Sequence, residues 1–215
     1  PQSIGSGRAP TLLRWRRSTC LHRTAAEMES HSAHLSWHQR ATLARITLTR
    51  LAENDPTVTE ATIDEASMLD GGLRVARALS NNTKLTSLRI RSRDFVPEAV
   101  GMILSYIATS QSLETMYLGG DEFYQAVADN ARIQDLQLYF CHNEVISLLA
   151  LMEAKRLSLR KLNLTWFSDA DHAVVRNIVR AITAASALEH LKLSFSVFQW
   201  RLIAQVFKEL VHSPS

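Results

Sequence analysis

The sequence predicts an α/β solenoid, a stack of strand–helix units with parallel strands on a concave face and helices on a convex face. Three observations carry this. An apolar-x-x-apolar-x-apolar pattern aligns six times along the chain. Runs with apolar residues at helical spacing separate the copies. The copies also come at a near-even period, with successive starts 27, 28, 20, 26 and 29 residues apart. An apolar-rich chain gives isolated matches by chance, whereas an even series is the mark of a repeat architecture.

One unit shows the switch plainly, from Gly71 to Ile90. Val75, Ala76 and Leu79 recur at helical spacing, Ser80 to Lys84 form a polar turn, and Leu85, Leu88 and Ile90 complete a short strand. The six triplets are Val58/Ala61/Ile63, Leu85/Leu88/Ile90, Leu113/Met116/Leu118, Ile133/Leu136/Leu138, Leu159/Leu162/Leu164 and Leu188/Leu191/Leu193. Such units cannot bury their apolar faces alone and do so by stacking. The pattern resembles the leucine-rich repeat of the ribonuclease-inhibitor type, whose repeat is about 28 residues. The resemblance covers about residues 40 to 211. The ninth motif position, usually Asn or Cys in that family, is Cys141 in the fourth copy. Elsewhere it is Ala66, Arg93, Asp121, Phe167 and Ser196, so the family's asparagine ladder is largely missing.

Taken in order, residues 1 to 35 are rich in Ser, Arg and His without a sustained period. They read as a disordered basic tail or an extension ahead of a start at Met28; an organelle transit segment is the rival reading. Residues 36 to 215 read as the repeat domain. Ser36 and Gln39 match a capping box, and a helix follows to about Asn54, with Leu43, Ile46 and Leu51 on its apolar side. Asp55-Pro56 stops it. Pro97 suits the first turn of the next long helix. The 20-residue repeat leaves room only for a short helix over 121 to 129. Further helices are expected over 144 to 155, after a Ser168 cap, and over about 197 to 211.

Composition sets limits. At 215 residues and 46% hydrophobic content the chain can bury a substantial core. No window of eighteen uninterrupted apolar residues occurs, so no membrane span is expected. Cys20 and Cys141 form no metal or disulfide spacing, which favours a reducing, cytoplasmic setting. Arg8, Arg14, Arg16, Arg17 and Arg23 against Glu27 give residues 1 to 27 a charge of +4; the whole chain is +3, so residues 28 to 215 sum to −1. The repeat domain therefore offers no general field for nucleic acid.

The chemistry-bearing candidates lie on the open strand face, where side chains alternate away from the core. Position 5 of the motif is Thr62, Arg89, Tyr117, Gln137, Asn163 and Lys192 across the copies. Position 7 is Asp64, Arg91, Gly119, Tyr139, Thr165 and Ser194, and position 8 is Glu65, Ser92, Gly120, Phe140, Trp166 and Phe195. The early copies are charged, with Glu60, Asp64 and Glu65 followed by Arg89, Arg91 and Arg93; the later ones are aromatic. Aromatic residues beside Arg are common anchors of protein interfaces. Tyr117, Tyr139, Phe140, Asn163, Trp166, Arg89 and Arg91 are the candidate partner-binding residues. Tyr117 and Tyr139 fall at firmly outward positions. Phe140 and Phe195 fit two readings, on the open face or folded over the strand end into the core, and Trp166 could also cover the loop before Ser168.

Other constellations point to structure. His31, His34 and His38 lack a further ligand type nearby, so no metal is expected. Cys141-His142 suggests a nucleophile, but a buried structural thiol explains it better. Asp169 and Asp171 sit at a helix start, where the dipole favours acids. There is no phosphate-binding glycine loop and no GxSxG. No cofactor is implied. The leading expectation is a non-enzymatic scaffold that binds a protein or peptide on the concave sheet. The family resemblance implies such a role, as in immune receptors, ubiquitin-ligase adaptors and inhibitors, and allows a fragment of a larger protein. The alternatives are a regulator of a small GTPase and an enzyme of unknown type. The sequence does not identify the partner or the oligomeric state.

Overall fold

The computed structural model describes residues 36–68, 70–91, 94–140, 144–166 and 172–195 together with positions 204, 206 and 208; the side chains of Phe140, Trp166, His172 and Phe195 lie outside that description. The strands are β1 (Glu60–Ile63), β2 (Ser87–Ile90), β3 (Thr115–Leu118), β4 (Asp135–Phe140), β5 (Lys161–Trp166) and β6 (His190–Phe195). The helices are α1 (Trp37–Ala52), α2 (Leu73–Ser80), α3 (Pro97–Thr109), α4 (Tyr124–Asp129), α5 (Val145–Lys155) and α6 (His172–Ala184). A single 3₁₀ turn, Glu65–Ser67, follows β1.

The six strands form one parallel sheet in sequence order. Each pairing joins equal motif positions: Leu88 lies opposite Ala61 and Met116, and Leu136 opposite Met116 and Leu162. The register derived from the triplets is therefore the register of the sheet. Leu85, Leu88, Leu113, Met116, Leu118, Ile133 and Leu138 are fully buried, and Val75, Leu79, Ile103, Ile107, Val127 and Leu148 close over them from the helices. Neighbouring helices need about 8–10 Å between axes, whereas strands sit only about 4.8 Å apart. That mismatch bends the stack with the sheet on its inner, concave side.

Main-chain hydrogen bonds fix the register in every repeat. The carbonyl at motif position 2 accepts two N–H groups from the next repeat. Thr59 O takes Thr86 N and Ser87 N at 2.9 and 3.1 Å; Thr86 O takes Glu114 N and Thr115 N at 2.9 and 3.0 Å. Glu114, Gln134 and Arg160 repeat the arrangement.

Side chains add a second set of links at the loops between helix and strand. Asn82 Nδ2 donates to Leu51 O at 3.0 Å, and Ser112 Oγ donates to Leu85 O at 2.8 Å. Asn130 Nδ2 reaches Ile107 O at 2.6 Å and Ser110 O at 2.9 Å. Lys155 Nζ donates to Ile133 O at 3.1 Å and to Asn130 O. Each link runs back to the preceding repeat and satisfies carbonyls that burial would otherwise strand.

Several expectations are refined. The helix begun at Trp37 ends at Ala52, ahead of Asn54, because Asn54 turns the chain at φ 56° and its side chain bonds Thr83 in the next repeat. On that helix only Leu51 is buried. Leu43 and Ile46, expected on an apolar side, are half exposed at 51% and 50%; among the described elements this first helix packs chiefly on α2 and on the 3₁₀ turn. The short fourth helix has six residues, as the short repeat demands, and Pro97 opens α3. The expected Ser168 cap lies outside the described residues. So does most of the expected 197–211 helix, although Ala204, Val206 and Lys208 are helical.

Candidate functional site

The open face of the sheet is laid out in rows by the register. Within each strand, positions 3, 5 and 7 fall opposite in parity to the buried leucines, so their side chains stand away from the core. The position-5 row runs Thr62, Arg89, Tyr117, Gln137, Asn163 and Lys192 across six adjacent strands. Its middle four members are half-buried and its end members exposed.

Three features give this row chemical character. The Arg89 guanidinium carbon lies 4.3 Å from the centroid of the Tyr117 ring, a cation–π contact between neighbouring strands. That contact holds a long, otherwise mobile side chain against the sheet. In β4, Gln137 Nε2 donates to the hydroxyl of Tyr139, two residues along on the same face. In β5, Asn163 Oδ1 is buried among the row and has no hydrogen-bond partner.

Towards the lower end of the strands the face is ion-paired. Lys161 Nζ lies 2.7 Å from Asp135 Oδ2, and Arg160 grips the Glu189 carboxylate through both Nε and Nη2. These exposed pairs contribute little to stability. At the first strand, Asp64 accepts from the Ser67 amide at 3.2 Å and the Ser67 hydroxyl at 2.9 Å, while Glu60 and Glu65 are exposed.

Tyr117, Tyr139 and Asn163 thus come from three consecutive strands, with Arg89 beside Tyr117. Arg91 is exposed at the end of β2. Phe140 and Trp166 occupy register-paired ends of β4 and β5, opposite Phe195 at the end of β6. By parity these positions group with Leu136 and Leu162, not with Gln137 and Asn163. Of the ninth-position residues, Ala66 is buried and Asp121 accepts from Ser147 Oγ at 2.8 Å. Cys141, His142, His31, His34, Asp169 and Asp171 lie outside the described residues. His38 is exposed and packs edge-on against Trp37. Among the described residues no group of three or more His, Cys, Asp or Glu could hold a metal ion. No described helix is long and apolar enough to cross a membrane.

Sequence reasoning missed the buried loop links. Asp55, Asn82 and Asn130 each stand three residues before the first apolar position of a repeat, and each accepts from the amide two residues on. That recurrence was readable. Lys155 was not singled out: it is fully buried, and burial lowers its ammonium pKa from 10.5 to about 8 against the opposing pull of Asp129.

No family model matches the chain. No curated protein matches it either. Among solved structures it is similar to leiomodin-1 actin-binding site 2 (ABS2), at 14% identity and a TM-score of 0.38, over 77% of this chain and 86% of that one. It is also similar to the tropomodulin C-terminal domain of Caenorhabditis elegans, at 15% identity and a TM-score of 0.36, over 78% of this chain and 91% of that one. Likeness at this level carries no argument about chemistry or partner; the fold rests on the sheet register itself.

Proposed function

We propose that residues 36–215 form a non-enzymatic binding scaffold of the ribonuclease-inhibitor-like repeat type, acting in the cytoplasm and holding a protein or peptide along the sheet face. The observation that carries this is the row Arg89–Tyr117–Gln137–Asn163. Four adjacent strands present it in register, partly exposed, with the Arg and Tyr already held against each other. A preformed aromatic and guanidinium surface loses little side-chain entropy on binding. Tyr139 and Arg91 extend the surface by one row; Phe140 and Trp166 stand at the ends of β4 and β5, at positions whose parity is that of the core leucines. Helices of 8 to 13 residues in the four longer repeats, against six in the 20-residue one, support the repeat type.

The test is site-directed photo-crosslinking in the full chain. A crosslinking residue at position 117, 139 or 163 should capture a partner that one at position 77 or 176, exposed on the helices, does not. Once that partner is purified, Tyr139→Ala should weaken its binding by about tenfold or more while leaving the melting curve in place. Capture only from the helical positions would sink the reading.

A further inference from the structure

Two kinds of glycine occur among the described residues. Gly71 and Gly72 are demanded by the backbone: φ is 66° and 86°, and a Cβ would meet Val96 Cγ1 at 2.5 Å or Phe95 Cδ1 at 2.6 Å. Gly119 is demanded by neither conformation nor crowding. Its φ lies outside the left-handed region, and among the described residues a Cβ there would meet only the Ile90 carbonyl oxygen, at an ordinary 3.7 Å.

Continuing the register one step past Ile90, Leu118 and Leu138 puts Arg91, Gly119 and Tyr139 side by side in the position-7 row. Adjacent strands are about 4.8 Å apart, so roughly 10 Å separates the flanking backbones. The result is a notch. Its floor is the Gly119 backbone, its walls are the exposed Arg91 and the half-buried Tyr139, and at its end stands the Arg89–Tyr117 pair. Arg91 follows the last residue of β2, two residues past Arg89 and of the same parity, which puts the two about 7 Å apart along the chain.

Resting on the sheet-face reading, we propose that this notch receives a single carboxylate, an Asp or Glu side chain of the docked protein or peptide. Guanidinium groups match a carboxylate in shape and charge and bind it through paired N–H donors. A phenol wall suits the apolar stem of the same side chain. The adjoining strand limits the charge accepted. Glu60 stands on the open face of β1, Asp64 follows the strand directly as the N-cap of the 3₁₀ turn, with Glu65 just beyond, and Ser67 holds the Asp64 carboxylate in place. One acid is attracted by the arginines, whereas a polyanion spanning the strip meets three acids beside them. The occupant is therefore a protein side chain and not a nucleic-acid backbone.

The test pans phage-displayed random dodecapeptides on the full chain, then measures the enriched peptides on Gly119→Leu, Arg91→Glu and Tyr139→Ala. Gly119→Leu should melt within about 2 °C of the parent, since its Cβ meets no crowded neighbour among the described residues; Gly119→Ala replaces it if leucine disturbs the melt. Enriched peptides should share an Asp or Glu at one position and bind Gly119→Leu about tenfold more weakly or worse. Peptides selected afresh on Arg91→Glu should carry Lys or Arg at that position. Peptides without a shared acid, or indifferent to Gly119→Leu, overturn the notch. If those peptides still lose binding on Tyr139→Ala, the sheet-face reading survives it; if they do not, both fall. Failure to enrich any peptide overturns both. A single-stranded oligonucleotide bound through Arg91 more tightly than any peptide would reassign the notch and overturn the proposal.

Discussion

The loops leading into β4 and β5 solve the same problem with different side chains. Each must tie its repeat to the one before and must also close its own turn. Asn130 does both with one amide. Its Nδ2 donates to Ile107 O and Ser110 O, and its Oδ1 accepts from Arg132 N at 2.8 Å. Lys155 does only the first, through Nζ to Asn130 O and Ile133 O. The turn is closed instead by the Lys155 backbone carbonyl, which accepts from Ser158 N at 3.0 Å and Leu159 N at 2.9 Å. The contrast separates two tasks that an asparagine merges. It also shows their different electrostatic cost, since the amide is neutral and the ammonium must shed its water to be buried.

The scale for breaking this comparison is set by the packing that both loops serve. Leu88→Ala, at a fully buried central site, should cost roughly 2 to 5 kcal/mol in urea unfolding. Asn130→Leu should come next, at about 2 to 3 kcal/mol, because it leaves two buried carbonyls and one amide without partners. At pH 7 Lys155→Met should cost about 1 kcal/mol or less, since losing the bonds is offset by losing the buried charge. Equal losses at positions 130 and 155 would erase the distinction.

Titration sharpens it. Below pH 8 the Lys155 amine is charged in folded and unfolded chains alike, and its burial cost is present in full. Between about 8 and 10.5 the folded chain holds fewer protons than the unfolded one, so stability rises with pH. The neutral amine keeps donors for both carbonyls. The stability difference between wild type and Lys155→Met should therefore move in favour of wild type from pH 7 to pH 10, while the difference between wild type and Asn130→Leu stays level. Tyr106, whose hydroxyl pKa burial raises, is common to all three proteins and cancels. The smallest effect belongs to the open face: Arg89→Ala should cost under about 1 kcal/mol, the worth of a partly exposed cation–π contact. A loss like that of Leu88→Ala would mean that Arg89 helps hold the fold.

The strands, their order and their register were readable because a period-2 pattern at repeat spacing admits one alignment. Arg89 and Tyr117 could be placed side by side from the sequence, as both occupy motif position 5; that the guanidinium lies over the ring could not, because side-chain torsions are set by neighbours on three strands. The loop links were overlooked for a different reason. They lie three places before the motif, at Asn82 and Asn130, away from the ninth position that the family pattern marks. Lys155 gave no signal at all, since a helix ending in lysine ordinarily leaves it in water. Leu43 and Ile46 misled because an apolar stripe shows which side could be covered and says nothing of how many neighbours are there to cover it.

The paired acceptors at Thr59, Thr86, Glu114, Gln134 and Arg160 are main-chain atoms, and they hold each repeat to the next whatever side chains those positions carry. The stack behaves like a zipper with nearest-neighbour teeth. Alignment is carried by peptide groups that every residue but proline supplies, so the residues on the open face are released from holding the fold. An acidic first strand, a basic second and a tyrosine-bearing third and fourth can stand side by side on one ruler. Such a surface is written by substitution alone, one strand at a time, without moving the strand beside it.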